Sequence, residues 1–192
     1  MIKTKIILAS SSPRRKELLQ LINIKPKVIT PVYDETRKEK ESIKTFLKRV
    51  SLGKGKSIKN ENNFDSIIIS SDTIVIIDNK IIGKPKDRKH AFEILQKLSG
   101  KKHKVITGIA IHYKNKAIYN YKETYVYFEV LTKNEINTYL DNENYMDKAG
   151  AYAIQGLASV FIKKIDGCYF NVMGFPLNLF NNMLKELDLN NQ

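Results

Sequence analysis

The sequence predicts an α/β fold, because short β-branched runs bounded by turn residues alternate with segments whose apolar residues recur at helical spacing. Two further observations mark where chemistry is expected. One aspartate stands in the middle of the strongest strand pattern, and two of only five arginines stand in tandem where the first helix pattern begins.

The strand pattern lies in residues 67–85, IIISSDTIVIIDNKIIGKP. Apolar runs at 67–69 and 74–77 flank Ser70, Ser71, Asp72 and Thr73, and near-continuous runs of this length predict a strand buried on both faces. A carboxylate there is costly unless hydrogen bonds, a cation or a place on the sheet rim compensates it. Asp78, Asn79 and Lys80 read as a turn, and Ile81 and Ile82 as a short return strand. Gly83-Lys84-Pro85 then forms a corner that aims Lys84 back towards Asp72. The plainer alternative, an Asp that caps a bulge and a solvated Lys, stays open on this stretch alone.

Residues 5–9, KIILA, predict a buried first strand. Ser10, Ser11 and Ser12 then make a turn, and Pro13 suits the first turn of a helix with Ser12 as its N-cap. The N-terminus of that helix offers unpaired N–H groups and a positive dipole end, an anion site. Arg14 and Arg15 are electrostatically misplaced there unless an anion is bound, and arginine's planar fork suits phosphate. Residues 27–30 predict a second strand, followed by Asp34 and Glu35. These offer oxygen ligands for a hard divalent cation, although the local sequence favours capping of the next helix.

That helix is predicted over residues 42–60, with Phe46, Leu47 and Val50 on its apolar stripe and Arg49 and Lys54 projecting from it. Its Gly53-Lys54-Gly55-Lys56-Ser57 run is not a phosphate loop: Val50 stands where that motif needs a glycine, and no strand precedes it. A further amphipathic helix is expected over 87–98, ended by Gly100. A strand at 104–112, interrupted at Thr107-Gly108, turns near Lys114-Asn115 into a long strand at 116–130. Residues 131–140 predict a helix with a capping box of Thr132 and Glu135. In 145–156, YMDKAGAYAIQG, the slim Ala149-Gly150-Ala151 backbone predicts close approach of a ligand or another chain. Asp147 and Lys148 reach substrate or pair with each other, and Gln155 presents both a donor and an acceptor to a base edge. A strand at 159–165, a loop at 167–176, a helix at 177–187 and a frayed tail at 188–192 complete the chain.

The 192 residues, 42% hydrophobic, suffice for one ordinary core or two small lobes. No apolar run approaches the roughly 20 residues that span a bilayer, and the run at 6–9 is too short for a signal peptide, so a cytoplasmic location is expected. Cys168 is the sole cysteine, which excludes an internal disulfide and a thiol zinc site. His90, His103 and His112 lack metal-ligand spacing. The net charge of +13 suits a polyanion partner. The lysines are scattered, however, and Lys, Ile and Asn are abundant together, so composition accounts for the charge and nucleic acid is not the expected partner.

Six motifs in order, SSSPRR at 10–15, Asp34-Glu35, SDTIV at 71–75, GKP at 83–85, DKAGAYAIQG at 147–156 and NVMGFP at 171–176, resemble the Maf family of nucleotide pyrophosphatases across essentially the whole chain. The resemblance implies a single Maf-like domain over residues 1–192. Its fold would be a long mixed twisted sheet flanked by helices, with two lobes and a central cleft, as in the related inosine triphosphate pyrophosphatases. It also implies hydrolysis of nucleoside triphosphates to monophosphate and pyrophosphate with a divalent cation, Mg²⁺ or Mn²⁺, and a link to septum formation. The AYAIQG wording around Gln155 is similar to the branch that prefers dTTP, UTP and their modified relatives. Asp72 falls on the position of the catalytic acid/base, and Arg14, Thr73 and Gln155 on the positions of substrate discrimination.

With the motifs come the remaining candidates. Ser10 and Ser12 belong to the substrate-binding turn, and Arg14, Arg15 and the N–H groups after Ser12 are expected on the phosphates. Lys54 and Lys84 are expected on the departing pyrophosphate, and Glu35 shares the metal with Asp72. Ser70, where Ala is common, and Phe175, where Leu is usual, depart from the family pattern. A homodimer and a nucleotide substrate are the expected partners, with no membrane. A 7-methyl-GTP pyrophosphatase, or a non-catalytic basic nucleic-acid-binding or septum-regulating protein, are the alternatives.

Overall fold

The computed structural model describes residues 4–187; the charged start at 1–3 and the expected frayed tail at 188–192 lie outside the described residues. The chain divides into two compact units, residues 4–72 with 107–122 and 174–187, and residues 73–106 with 123–173.

In the first unit, β1 (Ile6–Ala9) leads through the serine turn into α1 (Pro13–Leu21), and β2 (Lys27–Ile29) runs parallel beside β1. A loop without regular structure leads to α2 (Ile43–Ser57), whose N-cap Ser42 accepts from the Thr45 N–H. The first half of β3 (Ile67–Ile77) pairs parallel with β1, Ile6 opposite Ile67 and Ala9 opposite Ser70. All four residues of β1 and residues 67–72 of β3 are buried, as expected of parallel strands covered on both faces. Leu18 and Leu19 of α1 and Phe46, Leu47 and Val50 of α2 are the buried apolar residues of these helices. The closing helix α6 (Leu177–Glu186) buries Leu177, Phe180 and Met183. Phe175, the departure from the family's Leu, is fully buried with its ring 5.1 Å from that of Phe180.

The second unit begins with the rest of β3, which turns through Asp78 and Asn79, both left-handed (φ 50° and 58°), into β4 (Lys80–Ile82). That backbone is the two-residue turn matched to strand twist, and Asn and Asp tolerate it. Then come α3 (Arg88–Leu98), the first part of β5 (Lys102–Tyr113), the second part of β6 (Lys116–Phe128), α4 (Lys133–Asn142), β7 (Ile162–Asp166) and the short α5 (Tyr169–Val172). Ala91, Ile94, Leu95 and Leu98 of α3 pack in one core with Val75, Ile77, Val126, Phe128, Ile136 and Phe161. The capping box of α4 forms as expected: Thr132 Oγ1 accepts from the Glu135 N–H at 3.2 Å, and Glu135 accepts from the Thr132 N–H at 2.7 Å.

The seven strands make one mixed sheet in the order β2-β1-β3-β5-β6-β7, with β4 paired to β3. The α/β reading holds, and three local expectations are corrected. β5 is not interrupted at Thr107-Gly108; Gly108 stands there because a Cβ would meet Ser51 Oγ at 2.7 Å and the Tyr119 ring at 2.9 Å. The strand expected at 159–165 starts at Ile162, after a 3₁₀ stretch over Gly156–Phe161 that buries Ala158 and Phe161. The 167–176 loop contains α5, anchored by buried Asn171, whose side chain donates to the Val105 carbonyl and Thr124 Oγ1. In the slim 149–151 backbone the Gly150 N–H donates to the Gly83 carbonyl at 3.1 Å. Asp147 and Lys148 pair with each other at 2.8 Å.

Candidate active site

The site grows from Lys54. Its Nζ lies 2.8 Å from Asp72 Oδ1 and 2.9 Å from Glu35 Oε2. Lys54 and Asp72 are 7% and 9% exposed, whereas the Glu35 side chain is 53% exposed. The cluster therefore has one wet side and one dry side. On the dry side a lone ammonium or carboxylate would be strongly disfavoured, and each compensates the other.

The local sequence explains how Lys54 reaches that place. A Cβ on Gly53 would overlap the Tyr33 ring at 2.1 Å, and one on Gly55 would meet the His112 ring at 2.5 Å and Ser70 Oγ at 2.7 Å. The two glycines let α2 press against the 31–42 loop on one side and the buried strands on the other, with Lys54 between. The run that imitates a phosphate loop is thus a close-packing device, bought at the helix-propensity cost of two glycines, about 1 kcal/mol each. Ser70 fits the same contact, its hydroxyl donating to the Ser51 carbonyl at 2.6 Å.

Glu35 is held by its loop. Arg49 donates to both carboxylate oxygens of Glu41 (2.8 and 2.9 Å), to the Thr36 carbonyl (2.9 Å) and to the Asp34 carbonyl (3.4 Å). Those bonds to Arg49 hold the Glu41 carboxyl down at about 2. The local expectation that Asp34 and Glu35 cap α2 is corrected. Asp34 Oδ1 accepts from the Thr36 N–H at 2.8 Å, an Asx turn, and Ser42 caps the helix.

On the other flank stands the start of α1. Ser12 occupies the N-cap position, but its hydroxyl makes no capping bond. Its N–H instead donates to Ser10 Oγ at 3.1 Å. Ser10 Oγ also accepts from Arg15 Nη1 at 3.2 Å, and Arg15 further donates to the Ser71 carbonyl at 2.8 Å and the Gly174 carbonyl at 3.0 Å. Burial lowers the Arg15 pKa; Asp72 opposes this, Arg14 adds to it, and Glu35 opposes it more weakly. Arg14 is half-buried beside it.

Of the sequence candidates, Ser10, Ser12, Arg14, Arg15, Glu35, Lys54 and Asp72 all belong to the first unit, and their mutual contacts are those just given. Thr73, Lys84 and Gln155 belong to the second. Thr73 is the next residue of β3, and Lys84 and Gln155 are exposed. The lysine bonded to Asp72 is Lys54, seated there by the glycines of α2. The reading missed the Glu41–Arg49 clamp. An acid before a helix and an arginine two turns into it carry no signal until the loop folds back. His103 and His112 are core residues, bonded to Tyr152 Oη at 2.7 Å and to the Leu52 carbonyl at 3.1 Å. Among the described residues no group of three or more His, Cys, Asp or Glu is assembled for a metal.

The solved Ham1 protein of Staphylococcus aureus matches with a TM-score of 0.52 over 95% of this chain and 99% of that one, at 13% identity, which is a likeness of fold. The chain is thus an α/β protein of that mixed-sheet class. The Maf-like protein family model matches residues 5–187, and the chain belongs to that family. It is 45% identical over 186 residues to the dTTP/UTP pyrophosphatase of Clostridium beijerinckii, covering 95% of this chain and 99% of the relative. It is 44% identical over 190 residues to that of Clostridium botulinum strain Hall, covering 96% and 98%. No helix among the described residues is long and apolar enough to cross a membrane.

Proposed function

We propose that this chain is a nucleoside triphosphate pyrophosphatase that hydrolyses dTTP and UTP to the monophosphate and pyrophosphate. The observation that carries this reading is the Glu35–Lys54–Asp72 cluster beside a helix start with tandem arginines. The activity for which the relatives are named, at 44–45% identity over nearly the full length, supports it.

The site suits a divalent cation. Glu35 and Asp72 bring two carboxylates onto one Nζ, an all-oxygen pair of the kind that holds Mg²⁺ or Mn²⁺ together with substrate phosphates and water. When bound, such an ion polarises phosphoryl oxygens and eases deprotonation of water. The chain's own residues supply the rest. The first-turn N–H groups of α1 and Arg14 hold the phosphates. Asp72 aligns the attacking water on the α-phosphorus and takes its proton as the bond to the bridging oxygen breaks. Lys54, already at Asp72, offsets the negative charge that develops on the leaving pyrophosphate. Catalysis of this kind rests on position and electrostatics. Base discrimination by Arg14, Thr73 and Gln155, and a pyrophosphate contact for Lys84, enter from the family resemblance. A homodimer working on the cytoplasmic nucleotide pool belongs to the same proposal.

The test is pyrophosphate release across a panel of nucleoside triphosphates, with and without Mg²⁺ or Mn²⁺. dTTP and UTP are expected to lead the panel, and 7-methyl-GTP to trail. Asp72→Asn is expected to fold and to lose at least ~100-fold in turnover, the scale of a lost acid/base group. Gln155→Glu is expected to erode the pyrimidine preference. Silence across the whole panel, or near-normal turnover by folded Asp72→Asn, refutes the proposal.

A further inference from the structure

We infer that Arg15 is a positioning residue, whose guanidinium fixes the catalytic carboxylate's peptide. The inference deepens the proposed reading and rests on it. One arginine joins three segments far apart in sequence: the turn before α1 through Ser10 Oγ, the middle of β3 through the Ser71 carbonyl, and the turn before α6 through the Gly174 carbonyl. The Ser71 carbonyl belongs to the peptide group that joins Ser71 to Asp72. The 2.8 Å bond from Nη1 therefore sets the plane of the peptide from which the Asp72 side chain departs. Ser71 supports the same arrangement from its side chain, its hydroxyl donating to the Gly174 carbonyl at 3.3 Å. Gly174 has φ of 100°, a backbone closed to most L side chains, and its carbonyl accepts from both donors.

The chemistry of the Arg15 donors points to the same role. Arg15 directs Nε and Nη1 to oxygens of the protein itself. A guanidinium committed in this way is a fixed fork, suited to holding geometry. By acting on Ser10 Oγ and on the Ser71–Asp72 peptide at once, it couples the phosphate-facing turn to the carboxylate. A shift of about 1 Å at such a place lowers turnover by about 10²-fold without touching the ligand.

The experiment compares Arg15→Gln, Arg15→Lys and Arg14→Gln in the full chain, by steady-state dTTP hydrolysis and by calorimetric binding of inorganic tripolyphosphate. Arg15→Gln is expected to lower kcat about 10- to 100-fold with KM within about threefold of the unaltered chain. Its tripolyphosphate affinity is expected to be unchanged. Arg15→Lys retains one charged donor and is expected to recover part of kcat. Arg14→Gln is expected to raise KM and weaken tripolyphosphate instead. Tenfold weaker tripolyphosphate binding by either Arg15 variant, with kcat near normal, overturns the assignment. If Arg15→Gln fails to fold, the same two criteria on Arg15→Lys decide it. Lack of hydrolysis by the unaltered chain refutes the proposed function itself; a normal unaltered chain with the reverse pattern refutes only the role of Arg15.

Discussion

Replacing Lys54 by Met keeps most of the volume of the side chain and removes the ammonium from between the two carboxylates. The structure says where the loss falls. The Glu35 side chain is 53% exposed, and an exposed pair contributes at most about 1 kcal/mol. The Asp72 side chain is 12% exposed and the Lys54 side chain 9%. Breaking such a pair leaves a buried charge uncompensated, at a cost of about 3–5 kcal/mol. For a chain of this size the midpoint of thermal unfolding should fall by roughly 10 °C. Urea unfolding followed by circular dichroism gives the free energy directly. The decisive comparison is the same substitution on Asp72→Asn, where no carboxylate is stranded and the loss should shrink by at least ~1 kcal/mol, since contacting residues couple. A loss below ~1 kcal/mol in the native background, or an equal loss in both backgrounds, refutes the argument that the ion pair is what makes Asp72 tolerable.

Three further outcomes are expected. His103 is buried, its pKa pushed down to about 4 from an ordinary value near 6.5. The unfolded chain takes up its proton first, so this contribution to stability is complete above about pH 6.5 and is lost as pH falls through about 4, a total of about 3 kcal/mol; His103→Phe should flatten that part of the urea stability profile, and an unchanged slope refutes the attribution. Gly55→Ala drives a methyl into the His112 ring and Ser70 Oγ, and should destabilise by about 1–3 kcal/mol and slow dTTP turnover by moving Lys54; a stability gain, as for an ordinary exposed helical glycine, counts against the packing role. Thr132→Ala removes the cap of α4 and should lower unfolding free energy by about 1 kcal/mol while leaving turnover unchanged.

Much of the fold was legible because it is local. The β-branched runs around Asp72 could bury themselves only as a strand, and the Asp78-Asn79 pair could close only a tight turn. Thr132 announced its helix because an N-cap bond needs only three or four residues. The misreadings have one physical origin. Gly108 looked like a break, because a glycine that makes room for a distant ring looks, in one dimension, like a glycine that bends the chain. Asp34 and Glu35 looked like caps because the Arg49 clamp that draws the loop back onto α2 lies well downstream.

By itself the sequence determined the order of strands and helices, the anion-ready start of α1 and the presence of an acid inside an apolar strand, since propensity, capping and hydrophobic period act over a few residues. Tertiary structure alone decided which base meets that acid. Lys84 is nearer in sequence and Lys54 is bonded in space, because desolvated charges choose the partner that packing delivers to them. The same folding made one arginine of the Arg14-Arg15 pair a tie between Ser10, Ser71 and Gly174, a distinction that two identical neighbouring side chains cannot express in sequence.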